Sequence, residues 1–222
     1  NRTGLVWQQG DPGYYMTWDS ALSYCEGLSL GSKTDWRLPN IREIESITDE
    51  AIYYPAINTT FFPNAYSAWY WSSTTYASYT DLAWLVDMYY GYVSSGLKSN
   101  YYYYAWPVRS GQCGSFGDSV ICLPKTGQTT SYATGDDGDL EMGVAWPDTR
   151  FSDGGNTVKD NLTGLVWTKN ANLPNGTKTW QQALDYVAGM NAGTHPNFGY
   201  TDWRLPNINE LESNCELLYC QE

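Results

Sequence analysis

The sequence predicts an α+β architecture used twice in tandem, and three observations carry that reading. The string TDWRLPNI occupies residues 34–41 and returns unchanged at residues 201–208. Identity over such a string within 222 residues marks an internal repeat. Helical periodicity recurs at matching places in both copies, as Trp18, Ala21, Leu22 and Cys25, then as Trp180, Ala183, Leu184 and Val187. Between the copies, residues 53–104 are rich in Tyr, Ser, Thr, Asn and Gly, poor in charge, and punctuated by strand-like runs.

Each element follows in order. TGLVW at residues 3–7 reads as a short strand and recurs at 163–167. Thr17 is placed to cap a helix running to about Leu28, with Thr179 as its counterpart. The repeated corner comes next. Pro39 and Pro206 hold the chain extended before a helix. Asn40 and Asn207 stand as N-caps, with Glu43 and Glu210 at the third helical position, an Asn version of the capping box. Ile41, Ile44 and Ile47 give this second helix, expected to reach Asp49, an apolar side. Asp35 and Arg37, two apart on an extended segment, share a face and could pair. YWSST (70–74), AWLVDMYYG (83–91) and YYYYAWPVR (101–109) read as strands, with Gly91, Gly96 and the serines between them as turn markers. The strand at 3–7 is expected beside that at 101–109, joining the ends of the unit.

The first domain is therefore bounded at residues 1–111. Residues 112–150 read as a Gly/Ser/Asp-rich linker, and 151–222 as the N-terminal part of a second domain. This second part carries no counterpart of the Tyr-rich strands, so it should not complete a sheet by itself. Trp167, Trp180, Leu184, Val187, Trp203, Leu205 and Leu211 would then leave a large apolar patch. The sequence opens inside one motif and stops just after another. Continuation of the chain beyond Glu222 is the expectation, cover by another chain is the alternative, and the start looks processed, truncated or incompletely represented.

Composition narrows function. A net charge of −12 argues against nucleic acid, anionic membrane surfaces and polyanionic ligands. No apolar run approaches the roughly 18 residues of a transmembrane helix. Of the 5 cysteines, Cys113 and Cys122 flank a Gly/Ser-rich loop and are expected to form a disulfide. Cys215 and Cys220 would not meet on one continuous helix. Cys25 aligns with Val187, so it reads as a buried packing thiol. Disulfide and Tyr/Ser/Gly richness favour export.

The motifs TGLVW, TW-x-x-AL-x-YC, DWRLPN-x-x-E, YWSST and a closing V-R-S-G together resemble the C-terminal domain family of the Legionella collagen-like adhesin, long a domain of unknown function. Residues 1–111 match nearly the whole domain and 151–222 its first part. Two short helices with a Trp/Tyr-rich, mixed and mainly antiparallel sheet suggest a C-type-lectin-like fold. The resemblance implies an exported bacterial recognition domain, placed outside the cell, on its surface or in the periplasm. Related domains serve as variable binding proteins whose varied residues lie on late strands and loops, here residues 66–104.

Tyrosine supplies large, rigid, amphipathic contact area, so Tyr76, Tyr79, Tyr89, Tyr92, Tyr101 and Tyr103 are the expected ligand contacts. Trp7, Trp18, Trp36, Trp71 and Trp84 are expected in the core. Asp136, Asp137 and Asp139, with Glu141, are weak candidates for a Ca²⁺ site, a solvated turn being the plainer reading. No cofactor is otherwise implied. The single histidine, His195, leaves no Ser-His-Asp set in the first copy. Formylglycine-generating enzymes share a related fold but need a reactive cysteine pair, which Cys25 alone does not match. A Glu43–Glu45 acid/base pair is formally open, yet Glu43 is better explained as a cap. Recognition of glycans or surface proteins is thus the leading expectation, followed by a structural repeat in a self-assembling filament or coat, then an enzyme.

Overall fold

The computed structural model describes residues 3–10, 12–110 and 123–214. These fall into two compact units, one ending at Ala145 and the next starting at Trp146. Cys113, Cys122, Cys215 and Cys220, with the pairings considered for them, lie outside the described residues. No described helix is long and apolar enough to cross a membrane.

In the first unit, β1 (Leu5–Trp7) pairs antiparallel with β5 (Val108–Ser110), joining its two ends as expected. The repeated corner adds to this edge: Arg37 and Val108 exchange backbone hydrogen bonds at 2.9 Å each way. Helix α1 (Trp18–Glu26) follows, shorter than expected, and Thr17 occupies the N-cap without a side-chain cap bond. Helix α2 (Ile41–Glu45) is a single tight turn and a half, ending before the expected Asp49. A second sheet has the order β2 (Trp69–Thr75), β3 (Leu82–Asp87), β4 (Tyr92–Leu97), all antiparallel.

This sheet is buried on both faces, because side chains alternate along a strand. Trp71, Ala83 and Leu85 meet Trp18, Leu22 and Cys25 of α1, with Leu38 and Met16. Tyr70, Trp84 and Val86, one residue out of phase, meet Ile41 and Ile44 of α2, with Met88, Tyr104 and Trp106. The helices thus sandwich the β2–β3 hairpin. The expected core tryptophans are buried, except that Trp7 is only partly so.

Two strand expectations are corrected. Residues 92–97, read as turn-rich, form β4, and only Gly91 (φ +85°) turns the chain. Gly96 is there for space: a Cβ would come within 2.8 Å of the Tyr103 ring and 2.9 Å of Leu85. Residues 101–109 are not one strand. Tyr103 bridges Met16, Tyr104 bridges Tyr70, and only past Pro107 does pairing resume as β5.

The segment read as a linker also differs. From Leu123 to Ala145 it belongs to the first unit. Helix α3 (Asp137–Leu140) sits against β2, with Asp136 as its N-cap. Asn40 donates through Nδ2 to the Met142 carbonyl (3.1 Å), and Gln128 accepts from the Thr75 amide (2.7 Å). A polar composition looked solvated, yet its donors and acceptors find partners across the fold, so burial costs little.

The second unit corrects a further expectation, for it does contain a sheet. Strands β6 (Phe151–Asp153), β7 (Thr157–Asp160) and β8 (Val166–Thr168) form an antiparallel meander. Gly155 (φ +83°) turns β6 into β7. Helices α4 (Trp180–Asn191) and α5 (Ile208–Asn214) follow. Thr179 and Gln182 form a full capping box on α4.

Candidate binding face

The chemistry-bearing positions of the repeated corner resolve first. Arg37 does not pair with Asp35. It makes two parallel 2.6 Å bonds to the Glu43 carboxylate and a third, at 3.1 Å, to the Ser110 carbonyl. Asp35 instead accepts from Arg109 at 2.7 and 3.0 Å, which holds its carboxyl below the usual range. Glu43 completes the capping box, taking the Asn40 amide at 2.9 Å while Asn40 Oδ1 takes the Glu43 amide at 3.0 Å. These groups are saturated by one another and build the corner.

The acidic cluster behaves similarly, and the solvated turn is a misreading. Asp136 and Asp137 are buried. Asp136 accepts from the amides of Tyr132 (2.8 Å) and Asp139 (2.9 Å), and Asp139 from that of Gly135 (2.8 Å). Asp137 Oδ2 accepts from the hydroxyls of Thr126 (2.6 Å) and Thr74 (2.7 Å). Thr74 in turn accepts the Ile41 amide (3.0 Å), so one hydroxyl links α2, β2 and α3. Burial pushes Asp137 up to about 6, against the pull of the two hydroxyls. Among the described residues no group of three or more His, Cys, Asp or Glu side chains is arranged to hold a metal ion. Cys25 lies in the core, where burial pushes its thiol well above its ordinary value.

Lys98 is the most perturbed amine. Its Nζ donates to Thr75 Oγ1 (2.8 Å) and the Thr80 carbonyl (3.0 Å) and lies 4.0 Å above the Trp18 ring. Burial lowers it to about 8. It ties the end of β4 to the sheet and to α1.

The tyrosines divide. Tyr76, expected to be exposed, is buried against Trp84 with centroids 4.7 Å apart; Tyr79 stacks outside it and is exposed. Tyr89, Tyr92, Tyr101 and Tyr103 belong to a separate group that the structure brings together. Centroid separations run Tyr54–Tyr89 4.6 Å, Tyr89–Tyr90 4.3 Å and Tyr90–Tyr92 6.3 Å. They continue Tyr92–Trp69 5.4 Å, Trp69–Tyr103 6.5 Å and Tyr103–Tyr101 5.9 Å. This unbroken ribbon of rings starts at the β3–β4 turn and ends past the last residue of β4. Tyr103 also packs on Trp71 at 4.8 Å, anchoring the ribbon in the core. Tyr54, Tyr90, Tyr92 and Tyr101 are its exposed rings.

Tyr54, Tyr90 and Trp69 were not among the expected contacts. Tyr54 arrives from the loop after α2, held by its amide on the Tyr89 carbonyl (2.9 Å) at φ +67°, an uncommon backbone state for an aromatic residue. The run Tyr89-Tyr90 carried a signal, since both flank a hairpin turn and one must point outward. Burial, with Asp87 beside Tyr92 and Tyr101 beside Tyr103, raises the phenols of Tyr89, Tyr92 and Tyr103 above their ordinary value of 10.0. These three phenols are therefore uncharged at neutral pH.

A family model for the Lcl C-terminal domain matches residues 1–109 and 156–220. A search among curated proteins returns no significant match. The chain belongs to the Lcl C-terminal domain family, with one copy in each unit and the second match covering only the earlier part of the repeat.

Proposed function

We propose that the first unit is a non-catalytic recognition module of a bacterial surface adhesin, acting outside the cell, and that the aromatic ribbon is its contact face for glycans or surface proteins. The ribbon carries this reading. Rigid rings lose little torsional entropy on contact and offer both a stacking face and a phenol. Uncharged phenols on a chain of net charge −12 favour neutral glycans over polyanionic ones.

The test is a glycan and protein binding screen of the full chain, repeated with Tyr90→Ala, Tyr92→Ala and Tyr101→Ala. Loss of an anchoring ring is expected to cost about 2 kcal/mol, roughly thirtyfold in affinity. Full affinity in all three variants, with loss in Tyr79→Ala or in Tyr66→Ala, whose ring stacks on Tyr104 at 5.0 Å, would move the face to the other side of the sheet. A structural role in a surface assembly is the second reading, favoured by the exposed apolar side chains of α4 and α5.

A further inference from the structure

The second unit holds an open cleft of about 410 Å³ along α4, lined by Thr177, Lys178, Gln182, Asp185, Tyr186 and His195. Gln182, Asp185, Tyr186 and Gly189 recur at helical spacing and form one stripe of α4. At 3.6 residues per turn, that stripe points away from Trp180, Leu184 and Val187, which repeat the core stripe of α1. In the first copy, where the later strands are present, the matching Ser20 and Ser23 are exposed. The stripe thus lies on a side of the helix that the rest of the repeat leaves open. Its chemistry differs between copies. Gln182 and Asp185 replace the two serines, and His195 stands in a segment, residues 189–200, that is longer than its counterpart, residues 27–33. One carbonyl holds that segment: Gly189 accepts from the Thr194 amide (2.9 Å), the Thr194 hydroxyl (3.0 Å) and the His195 amide (3.3 Å). The imidazole then lies flat on Tyr186, centroids 4.3 Å apart and planes 11° from parallel. Gly189 makes room for it, since a Cβ there would stand 2.5 Å from His195 Cδ2. Among the described residues no hydrogen bond engages the Lys178 amine, the Tyr186 hydroxyl or the imidazole nitrogens, and Asp185 accepts from Gln181 through one oxygen only.

We propose that this cleft is a binding site for a single neutral sugar residue, separate from the aromatic ribbon and independent of it. A pyranose presents a flat C–H face and a rim of hydroxyls that both donate and accept. The exposed imidazole, backed by Tyr186, offers a ring to that face. Lys178, Gln182 and Thr177 offer donors, and the second Asp185 oxygen offers an acceptor. One lysine and one aspartate balance, so the lining selects neither an anion nor a cation. The volume falls in the range of small-molecule sites. Ser20 and Ser23 of the first copy carry neither the amide nor the carboxylate, so the site belongs to the second copy.

His195 is the chain's single histidine, so isotope-labelled histidine gives one unambiguous imidazole signal in the full chain. The experiment titrates that signal by NMR with the methyl glycosides of glucose, galactose, mannose and N-acetylglucosamine, and with glycine and acetate as charged comparisons. At least one glycoside is expected to shift it saturably, and glycine and acetate are not. Tyr90→Ala, which removes a ring of the ribbon, is expected to leave the titration unchanged, so failure of the ribbon and failure of this site are told apart. Asp185→Ser, which installs the first copy's residue, is expected to weaken binding about tenfold. Gly189→Ala raises helix propensity while pushing the imidazole off Tyr186, and is expected to abolish the response with amide-exchange protection of α4 retained. No saturable shift with any glycoside would overturn the proposal. So would a shift with glycine or acetate alone, or a glycoside affinity that Asp185→Ser and Gly189→Ala leave unaltered.

Discussion

The corners at residues 34–41 and 201–208 have one sequence and two environments. Both make the same local structure. Asn207 and Glu210 exchange amide bonds at 2.9 Å each, as Asn40 and Glu43 do, and Arg204 grips Glu210 as Arg37 grips Glu43. Their burial differs: side-chain exposure of the pair is 8% and 4% in the first copy, but 57% and 18% in the second. Local sequence suffices to fix caps, extended entry and ion pairing, all short-range. Burial is set by distant strands, and with it the energetic weight of every contact in the corner.

The sharpest way to break this comparison is to remove the arginine from each copy. Arg37→Ala leaves the Glu43 carboxylate buried without its cation and strips a donor from the Ser110 carbonyl, so a loss of about 3–5 kcal/mol is expected in the first unit. Arg204→Ala removes a largely solvated pair, so the loss in the second unit is expected to be far smaller than in the first. Denaturant unfolding, followed by hydrogen exchange of α2 and α5 separately, reads both. Equal losses would mean that the second corner is covered in solution.

What the sequence disclosed follows the same line. The repeat, the capping box, the joining of β1 to β5, and strands β2 and β3 rest on patterns a few residues long or on internal identity. The ribbon was legible in part, since Tyr89, Tyr92, Tyr101 and Tyr103 were expected contacts, but only a fold brings Tyr54 and Trp69 to them. Tyr76 looked like its neighbours and was buried by Trp84, a residue on the next strand. Gly96 looked like a turn because the ring needing its missing Cβ, that of Tyr103, comes from beyond the strand. Asp136 and Asp137 looked solvated because their donors include Thr74 and Thr126, outside their own run. The C-type-lectin-like expectation remains a reading of this α+β arrangement.

Acid should separate the units next. Asp137 has its folded-state value raised from 3.8 to about 6 by burial, so the folded first unit holds this proton more tightly than the unfolded chain. Its contribution is full below pH 3.8 and is lost as pH rises through about 6. Glu210 runs the other way. The Arg204 hydrogen bond lowers it from 4.5 to about 2, so its contribution is present above pH 4.5 and lost on falling towards 2. Acidifying from neutrality to pH 5 is expected to strengthen the first unit and leave the second unchanged. Asp137→Asn, which keeps an oxygen for Thr74 and Thr126, should flatten that slope in the first unit only. Hydrogen exchange across the pH range checks this, and an unaltered slope in the variant would assign the effect to another group.

The smallest expected difference lies in the caps, and it isolates what context adds to identical geometry. Asn40→Ala and Asn207→Ala each deprive one helix-terminal amide of its side-chain acceptor, a loss common to both copies. Solvent can reach the freed Glu210 amide, because the second corner is open, so a cost near the low end of about 0.5–2 kcal/mol is expected there. The first corner is closed, and Asn40 also donates to the Met142 carbonyl at 3.1 Å, tying the corner to the segment that carries α3. Its replacement leaves the buried Glu43 amide only its 3.1 Å bond to the Asn40 carbonyl and removes the tie to Met142, so a cost at the upper end of that range is expected. Restoring only the cap separates the two contributions. Asn40→Asp keeps an acceptor for the Glu43 amide but brings no donor for Met142, and it sets a second carboxylate beside that of Glu43. Recovery to wild-type stability in Asn40→Asp would show that the cap alone matters and that the Met142 bond is incidental. A persistent deficit, with faster exchange across residues 137–144 and none at α5, would show that the corner holds the α3 segment in place.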